Sequence, residues 1–524
     1  MRTYCLGNLE IDPSHGEIRR GDQVVPTETK VRGLVFLLVE ADGRVVPAEE
    51  IHDHLWPGVQ VSRDALYRVV KEARAVLGDD GRRQAVIRTL PGQGLRWVAA
   101  VEIREDAHSG IGRPTLEAIQ EMYESGQIGE ARKLALQLSR LTPGAENAPR
   151  RARALIWASE LMLHGRVDRE WMTLAKEALS ELGSDEPVLR AGLLSRQAYQ
   201  LYWSRDPGRS RETIQAARTI AETEDAVEVL AWVELMEHML TEGPERVADR
   251  RLHAERAVTY ARRGGVAQTE LWAREQVAHD AMETADLASV EAEAKAIDLL
   301  AEAHSLVWPA RVRTLLQLHR GDLPAAERAI LREVARFPNG GEHVFQYLGG
   351  PLLWLRHEQG RLAEILPLLR QFVAAGGELP VWRAALARAE FQAGDRDAAR
   401  REYEGLAAGG FRDIDGHFVS SVTLAHLAEL CCGFEDTARI AWIQERLAPY
   451  SGRLIVAPRA SFSLGPADLL LGRLAALDGR RDEALLKLER ALSLSSQLES
   501  RPAEVRARDA LSALALADHD PRAS

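Results

Sequence analysis

Cysteine and lysine are both scarce: the chain of 524 residues has three cysteines, Cys5, Cys431 and Cys432, and six lysines against 61 arginines. Three thiols, two of them adjacent, cannot staple a chain of this length, so a disulfide scaffold is excluded and a reducing, cytoplasmic setting is expected. Cys431 and Cys432 read as small buried residues near a helix end. No apolar run approaches the roughly 18 residues needed to cross a bilayer, so no membrane partner is expected. Met1–Glu10 has no basic segment followed by an apolar stretch, and no secretory leader is expected. Motifs of catalysis are also missing. The sequence has no Gly-x-x-x-x-Gly-Lys-Ser/Thr run, no His-Glu-x-x-His, no Gly-x-Ser-x-Gly and no paired-cysteine zinc spacing. Neither an enzyme, nor a cofactor, nor a metal site is therefore expected. His52 and His54 stand two apart on a helix and face different ways, which argues against a metal pair.

What is present is a large, uneven chain. Hydrophobic residues make up 46%, enough for several domains or one long repeat. The net charge of -11 argues against a protein that coats nucleic acid over its whole surface. That average hides a local reversal: residues 1–60 carry six basic and ten acidic side chains, whereas residues 61–97 carry eight basic against four acidic.

The first hundred residues read as α+β. Tyr4-Cys5-Leu6, Leu9-Glu10-Ile11, Gly16 to Arg20 and Gln23 to Pro26 are short strands divided by the turn formers Asp12-Pro13 and Gly21-Asp22. Thr27 is a candidate cap for a helix with Val31, Leu34, Val35, Leu38 and Val39 on its apolar face. A second helix starts at Pro47, with Glu49 and Glu50 in its first turn, and ends at Trp56-Pro57-Gly58. A third follows Ser62, a candidate cap, and runs to Leu77-Gly78. Val86 to Leu90, Pro91 to Gly94 and Leu95 to Val98 then make a strand, a tight turn and a returning strand.

On the third helix Arg63, Tyr67, Lys71 and Arg74 fall at offsets of four, four and three, with Arg68 beside them, while Leu66, Val69, Val70, Ala73 and Leu77 take the inner face. A helix with one basic face fits the major groove, where arginine binds guanine bidentately and lysine or tyrosine meets phosphates or base edges. In the hairpin, Arg88, Gln93 and Arg96 surround Gly92 and Gly94, which would let the tip approach a sugar-phosphate backbone.

Four strands, three helices and a terminal hairpin follow the order of a winged helix. Gly43-Arg44-Val45-Val46, Leu55-Trp56, Val61-Ser62, Leu66-Tyr67, Ala73 to Asp80, Ile87 to Gly94 and Arg96-Trp97 carry a resemblance to the effector domain of OmpR/PhoB-type transcription regulators. The resemblance spans residues 1–103 and implies binding to double-stranded DNA, with Arg63, Tyr67, Arg68, Lys71, Arg74, Arg88, Gln93 and Arg96 as the contact set. It also implies that residues 56–61 correspond to a loop that can touch RNA polymerase, although Trp56 and Val61 read better as core. The family often has Arg where Gln93 stands and Tyr where Leu95 stands, so this wing is expected to position more than it reads. No receiver domain precedes the segment, so control through a receiver aspartate is not expected.

Residues 104–113, with Asp106, Ser109, Gly110 and Gly112, read as a linker. From Pro114 to about residue 520 the pattern is helical, with a recurring Gly-x-x-x-x-Ala at Gly126/Ala131, Gly243/Ala248, Gly321/Ala326, Gly394/Ala399, Gly433/Ala438 and Gly479/Ala484. The Gly would end one helix in a left-handed turn and the Ala would let the next helix pack closely. Spacings near 34 to 46 residues resemble a degenerate tetratricopeptide array of about ten helical pairs. The part from Leu424 to Ala484 is similar to the helical C-terminal region of large bacterial regulators. The fold expected is an α+β winged helix followed by an all-α tetratricopeptide-like solenoid. Trp203, Trp232, Trp272, Trp308, Trp354 and Trp382 read as core rather than as the lining of a groove.

These readings point to a one-component transcription regulator, cytoplasmic, whose helical region receives a signal, holds a protein partner or small ligand, or forms a homodimer. An alternative of another class is a scaffold whose winged helix binds protein rather than DNA.

Overall fold

The computed structural model describes the chain except for residues 1, 14–16, 22, 26, 42, 56–62, 91, 106–113, 125–126, 160–166, 205, 305, 307, 337–340, 375–378, 409–410, 412–413, 415–418 and 517–524. The chain divides into two compact units, residues 1–113 and 114–524.

The first unit is a winged helix. Its order is β1 (Arg2–Leu6), β2 (Leu9–Asp12), β3 (Glu17–Arg20), β4 (Gln23–Val24), α1 (Thr29–Glu40), β5 (Val45–Val46), α2 (Ala48–Leu55), α3 (Arg63–Val76), β6 (Ile87–Leu90), β7 (Gly94–Trp97) and β8 (Glu102–Glu105). One antiparallel sheet runs β4-β3-β2-β1-β8, and a second runs β5-β7-β6. The register Tyr4↔Ile11↔Ile18 stacks three buried side chains on one face of the first sheet. They join Val31, Leu34, Val35 and Leu38 of α1, Ile51 of α2, Val69, Val70 and Ala73 of α3, and Ile87, Leu95 and Trp97 of the hairpin in a single core. Burial of a large aliphatic or aromatic side chain contributes about 1.5–3 kcal/mol, so this cluster explains why so small a unit holds together.

Two strands were not expected from the sequence. β5 is two residues long and pairs with β7, and β8 pairs with β1 through Arg2↔Glu105 and Tyr4↔Ile103. β8 therefore carries the ordered unit past residue 103 into the segment read as linker. Helix α1 starts at Thr29 without a side-chain cap. Thr27 instead donates from Oγ1 to the Val25 carbonyl at 2.9 Å. Residue 62, the proposed cap of α3, and most of the linker, residues 106–113, lie outside the described residues.

The second unit contains 21 α-helices among its described residues, from Leu116–Glu124 to Arg501–Leu516, and sequence neighbours pack side by side. None of the described helices is long and apolar enough to cross a membrane. Left-handed residues end helices at Gly321 (φ 79°) and Gly479 (φ 75°), where the next amide bonds back to the carbonyl five residues earlier (Asp322 to Gln317, Arg480 to Ala475). Ala131, Ala326, Ala399 and Ala484 are fully buried, as close packing requires.

The repeat phrase fails at two places. Ala248 and Ala438 are exposed, and Gly433 lies within the helix Ser420–Phe434, whose left-handed end is Glu435 (φ 55°). Gly126 lies outside the described residues. Cys431 is buried in the last turns of that helix and donates from Sγ to the Asp436 carbonyl.

Trp203, Trp232, Trp308 and Trp354 are buried, as expected of core, whereas Trp272 and Trp382 are half-buried. A segment with no helical counterpart, the strand pair Leu454–Val456 and Ser463–Pro466, packs on helix Ala267–Glu283 across about 180 residues of sequence.

Candidate nucleic-acid interface

Helix α3 has the two faces that its spacing predicts. Val69, Val70 and Ala73 are buried and Leu66 half-buried, while Tyr67 is 73% exposed and Arg68 and Lys71 are exposed. Arg68 has a loose ion pair with Glu72 (3.7 Å), with its side chain mostly in water. Among the described residues no ion pair is formed by Lys71. Arg63 opens the helix, but its side chain lies outside the described residues.

Arg74 does not join this exposed row. The residue is 7% exposed and its guanidinium reaches across to β6, donating from Nε (3.2 Å) and Nη2 (2.9 Å) to the Ile87 carbonyl and from Nη2 to Thr89 Oγ1 (2.9 Å). The offset of three from Lys71 puts residue 74 at the border of the two faces, and the nearby strand edge draws it inward. Arg74 therefore leaves the set of candidate contacts and becomes a strap between α3 and the hairpin.

Asp79 holds the same strand through its amides. Its Oδ2 accepts the amides of Val86 (2.9 Å) and Ile87 (3.0 Å), and its Oδ1 those of Asp80 and Ala85. Burial works against the charged carboxylate, yet the four amides outweigh it and hold the Asp79 carboxyl below the usual range. Asp80 accepts the amides of Arg82 and Arg83 and folds the loop between α3 and β6. None of these three positioning roles is marked by a sequence motif beyond the resemblance itself.

The hairpin brings two predicted residues together. Arg88 on β6 and Arg96 on β7 are register partners, both exposed, on the face opposite Ile87, Leu95 and Trp97. Like charges directly opposite on adjacent strands repel, and among the described residues neither arginine forms an ion pair. Gln93 is exposed at the turn and donates its amide to the Leu90 carbonyl at 3.0 Å. Gly94 is required for packing. At φ 136°, a Cβ there would lie 2.0 Å from the Val46 carbonyl oxygen, so the role of Gly94 is the approach of β7 to β5. No hydrogen bond or ion pair joins the Tyr67–Lys71 group to the Arg88–Arg96 group among the described residues. Arg74 is what fixes one element on the other. Residues 56–61, the candidate polymerase loop, lie outside the described residues.

In the second unit, ligand atoms of His279, Asp280 and Glu283 lie within 4.8 Å of one another. The two carboxylates are already engaged. Arg250 donates at 2.6 Å to Asp280 Oδ1 and to Glu283 Oε2, His238 Nε2 lies 3.0 Å from Asp280 Oδ2, and Arg453 lies 3.3 Å from Glu283 Oε1. Burial opposes the ionised Asp280, but His238 and Arg250 overcome it and bring its carboxyl down to about 2. This group is a buried ion-pair network.

Residues 22–97 match the family described as transcriptional regulatory protein, C terminal. The chain is 29% identical over 82 residues to the transcriptional regulator HilA of Salmonella typhi, and equally to that of Salmonella typhimurium. Each alignment covers 16% of this chain and 15% of the relative's length, so the similarity concerns a small part of either protein.

Proposed function

We propose that the protein is a DNA-binding transcription regulator whose first unit docks on duplex DNA and whose helical unit carries the signal-receiving or dimer-forming surface. Helix α3 enters the major groove with Tyr67, Arg68 and Lys71, joined by Arg63 from its first turn. Arg88 and Arg96 grip the phosphate backbone beside it, and Gln93 sits at the tip. The observation that carries this reading is the pair Arg88 and Arg96, two exposed guanidiniums in direct register. That arrangement costs free energy in the unliganded hairpin and is relieved when a phosphate lies between them. The family match at residues 22–97 supports the same reading.

A single winged helix buries only about 600–1,000 Å² on DNA, so tight binding calls for two copies, and we assign their pairing to the helical unit. No catalytic step is part of the proposal. The test is fluorescence anisotropy of the full chain on genomic promoter fragments between about 50 and 200 mM salt. Affinity is expected to fall steeply across that range. Binding that ignores salt, or the absence of binding to any fragment, would overturn the reading.

A further inference from the structure

A cavity of about 120 Å³ lies between the helices Gly341–Glu358, Pro380–Gln392 and Ser420–Phe434 and is closed by the segment 457–462. Trp382, Ala385, Val422 and Phe462 give it mainly apolar walls. Those walls are held by contacts of their own. Phe462 stacks on Trp354 with ring centroids 5.6 Å apart, and Gly350 admits it to the helix Gly341–Glu358, since a Cβ there would lie 2.9 Å from the Phe462 ring. Trp382 packs edge-on against Phe372 at 5.0 Å. The closing segment is tied to itself by the Ala457 amide, which donates to the Phe462 carbonyl at 2.8 Å, and to the rest of the unit by His279 Nδ1, 3.2 Å from the Ala457 carbonyl. A cavity of about 150 Å³ holds a benzene molecule, so this one suits a body no larger than about one ring.

The polar groups at the wall differ in how they are occupied. Arg311 and Arg459 are engaged by Glu275, and Ser461 donates to the Pro458 carbonyl. His426 is not engaged. It is 2% exposed, stands one helical turn after Val422 on the same face, and lines the cavity with it. Among the described residues His426 makes no hydrogen bond. Its Nδ1 is sealed from water, which leaves Nε2 as the ring nitrogen within reach of a ligand. Burial, reinforced by Arg388, holds the imidazole neutral, well below its usual range.

A buried polar group without a partner costs free energy that a ligand's hydrogen bond recovers. Nε2 of a neutral imidazole carries either the proton or a lone pair, and a hydroxyl, which both donates and accepts, pairs with it in either case. An ionised ligand group would be carried out of water into apolar walls, at a far higher cost than a hydroxyl.

We propose that this cavity binds a small neutral molecule with one hydroxyl group, its apolar body between Trp382 and Phe462 and its hydroxyl on His426 Nε2. The proposal rests on the reading of the helical unit as the signal-receiving part and names the class of signal it takes.

Isothermal titration of the full chain with two matched pairs, phenol against toluene and 1-butanol against pentane, is the test, with benzoate as the charged probe. Within each pair a methyl group replaces the hydroxyl and makes the molecule more hydrophobic, so a purely apolar cavity prefers the hydrocarbon. In at least one pair the hydroxyl compound is expected to bind as tightly as its hydrocarbon or more tightly. His426→Leu should shift the ratio of the two affinities at least tenfold toward the hydrocarbon, and the hydrocarbon binding it retains shows that the cavity is intact. Ala385→Leu, which fills the cavity from its wall, should abolish binding of both. A preference for the hydrocarbon in both pairs, a ratio that His426→Leu leaves unchanged, unaltered affinity in Ala385→Leu, tighter binding of benzoate than of phenol, or no binding of any probe would overturn the proposal. Because titration is done without DNA, the two readings fail separately. A protein that binds DNA but neither hydroxyl compound loses the cavity assignment alone, and one that binds such a compound but no promoter loses the regulator reading alone.

Discussion

The two units use charge in opposite ways. In the winged helix, Lys71, Arg88 and Arg96 stand in water, and the buried charged residues among those described, Arg74 and Asp79, bond to the backbone rather than to each other. The helical unit buries charge in matched sets: Arg151 with Glu177 and Glu181, Arg274 with Glu270 and Glu293, Arg250 with Asp280 and Glu283. An exposed cation keeps its hydration until a ligand phosphate replaces it, and its removal costs the fold little. A buried ion pair has already lost its water, and removal of one partner strands the other. Charge in the first unit is therefore available for recognition, whereas in the second most of it is architecture.

The largest effect expected from this contrast is at Asp280. It is fully buried and faces both Arg250 and His238. Asp280→Ala should cost the helical unit about 3–5 kcal/mol, seen as a lower urea midpoint for the helical signal at 222 nm. A loss below about 1 kcal/mol would mean that water reaches Arg250 and that the network is not a buried one.

Next in size is Arg74→Met. It keeps the aliphatic stem in the core and removes the bonds to Ile87 and Thr89. Loss of a hydrogen bond from a charged donor costs about 1.5–3 kcal/mol, and the wing would no longer be fixed on α3. Both thermal stability of a fragment of residues 1–113 and DNA affinity of the full chain should fall together. Were affinity to fall with stability intact, Arg74 would be a contact residue after all.

Arg74 also marks the limit of what the sequence discloses. The inner face of α3 is legible because five apolar residues repeat with helical spacing, and the hairpin because its turn formers separate two apolar stretches. A border position such as residue 74 has no such signal, since its side chain is directed by a strand edge that lies 13 residues away. β5 is only two residues long, too short for alternation, and β8 reads Glu-Ile-Arg-Glu, a pattern as fit for a linker as for an edge strand.

In the helical unit the turns at Gly321, Gly394 and Gly479 are legible in the sequence and those at Asp225, Ala285 and Glu435 are not, because these take the left-handed conformation without the residue that advertises it. Arg459 bonds to Glu275 across 184 residues, a distance over which no local pattern speaks.

A smaller effect per group is expected from pH. Burial holds His238, His319 and His426 neutral, with Asp280 at His238 and the Leu498 carbonyl at His319 opposing it only in part. The folded-state values lie below the unfolded value near 6.5. The unfolded chain therefore binds more protons below pH 6.5, and stability present above that pH is lost as pH falls, by up to about 1.4 kcal/mol per unit for each histidine. Glu242, Glu283 and Glu333, which burial raises, act in the opposite sense as they take up protons. Comparison of wild type with His426→Leu isolates one group: between pH 6.5 and 5.5, where the unfolded histidine goes from half to mostly protonated, the variant should lose about 1 kcal/mol less. Equal slopes would show that His426 titrates normally.

The smallest expected change in stability is at Arg96, and there the contrast between the units is sharpest. Arg96→Ala removes an exposed cation from beside another, Arg88, so the fold should shift by no more than about 0.5 kcal/mol, in the stabilising direction if at all. DNA binding should respond through salt. A lost phosphate contact lowers the slope of log affinity against log salt by about 0.9 and weakens specific and random sequences alike. Lys71→Ala should instead reduce discrimination, by about 1–3 kcal/mol where the side chain meets a base. Measured together, the two variants separate a backbone grip in the hairpin from base reading on α3. A changed sequence preference in Arg96→Ala with none in Lys71→Ala would reverse those roles. Marked destabilisation by Arg96→Ala would show that the hairpin arginines, like those of the helical unit, belong to the architecture.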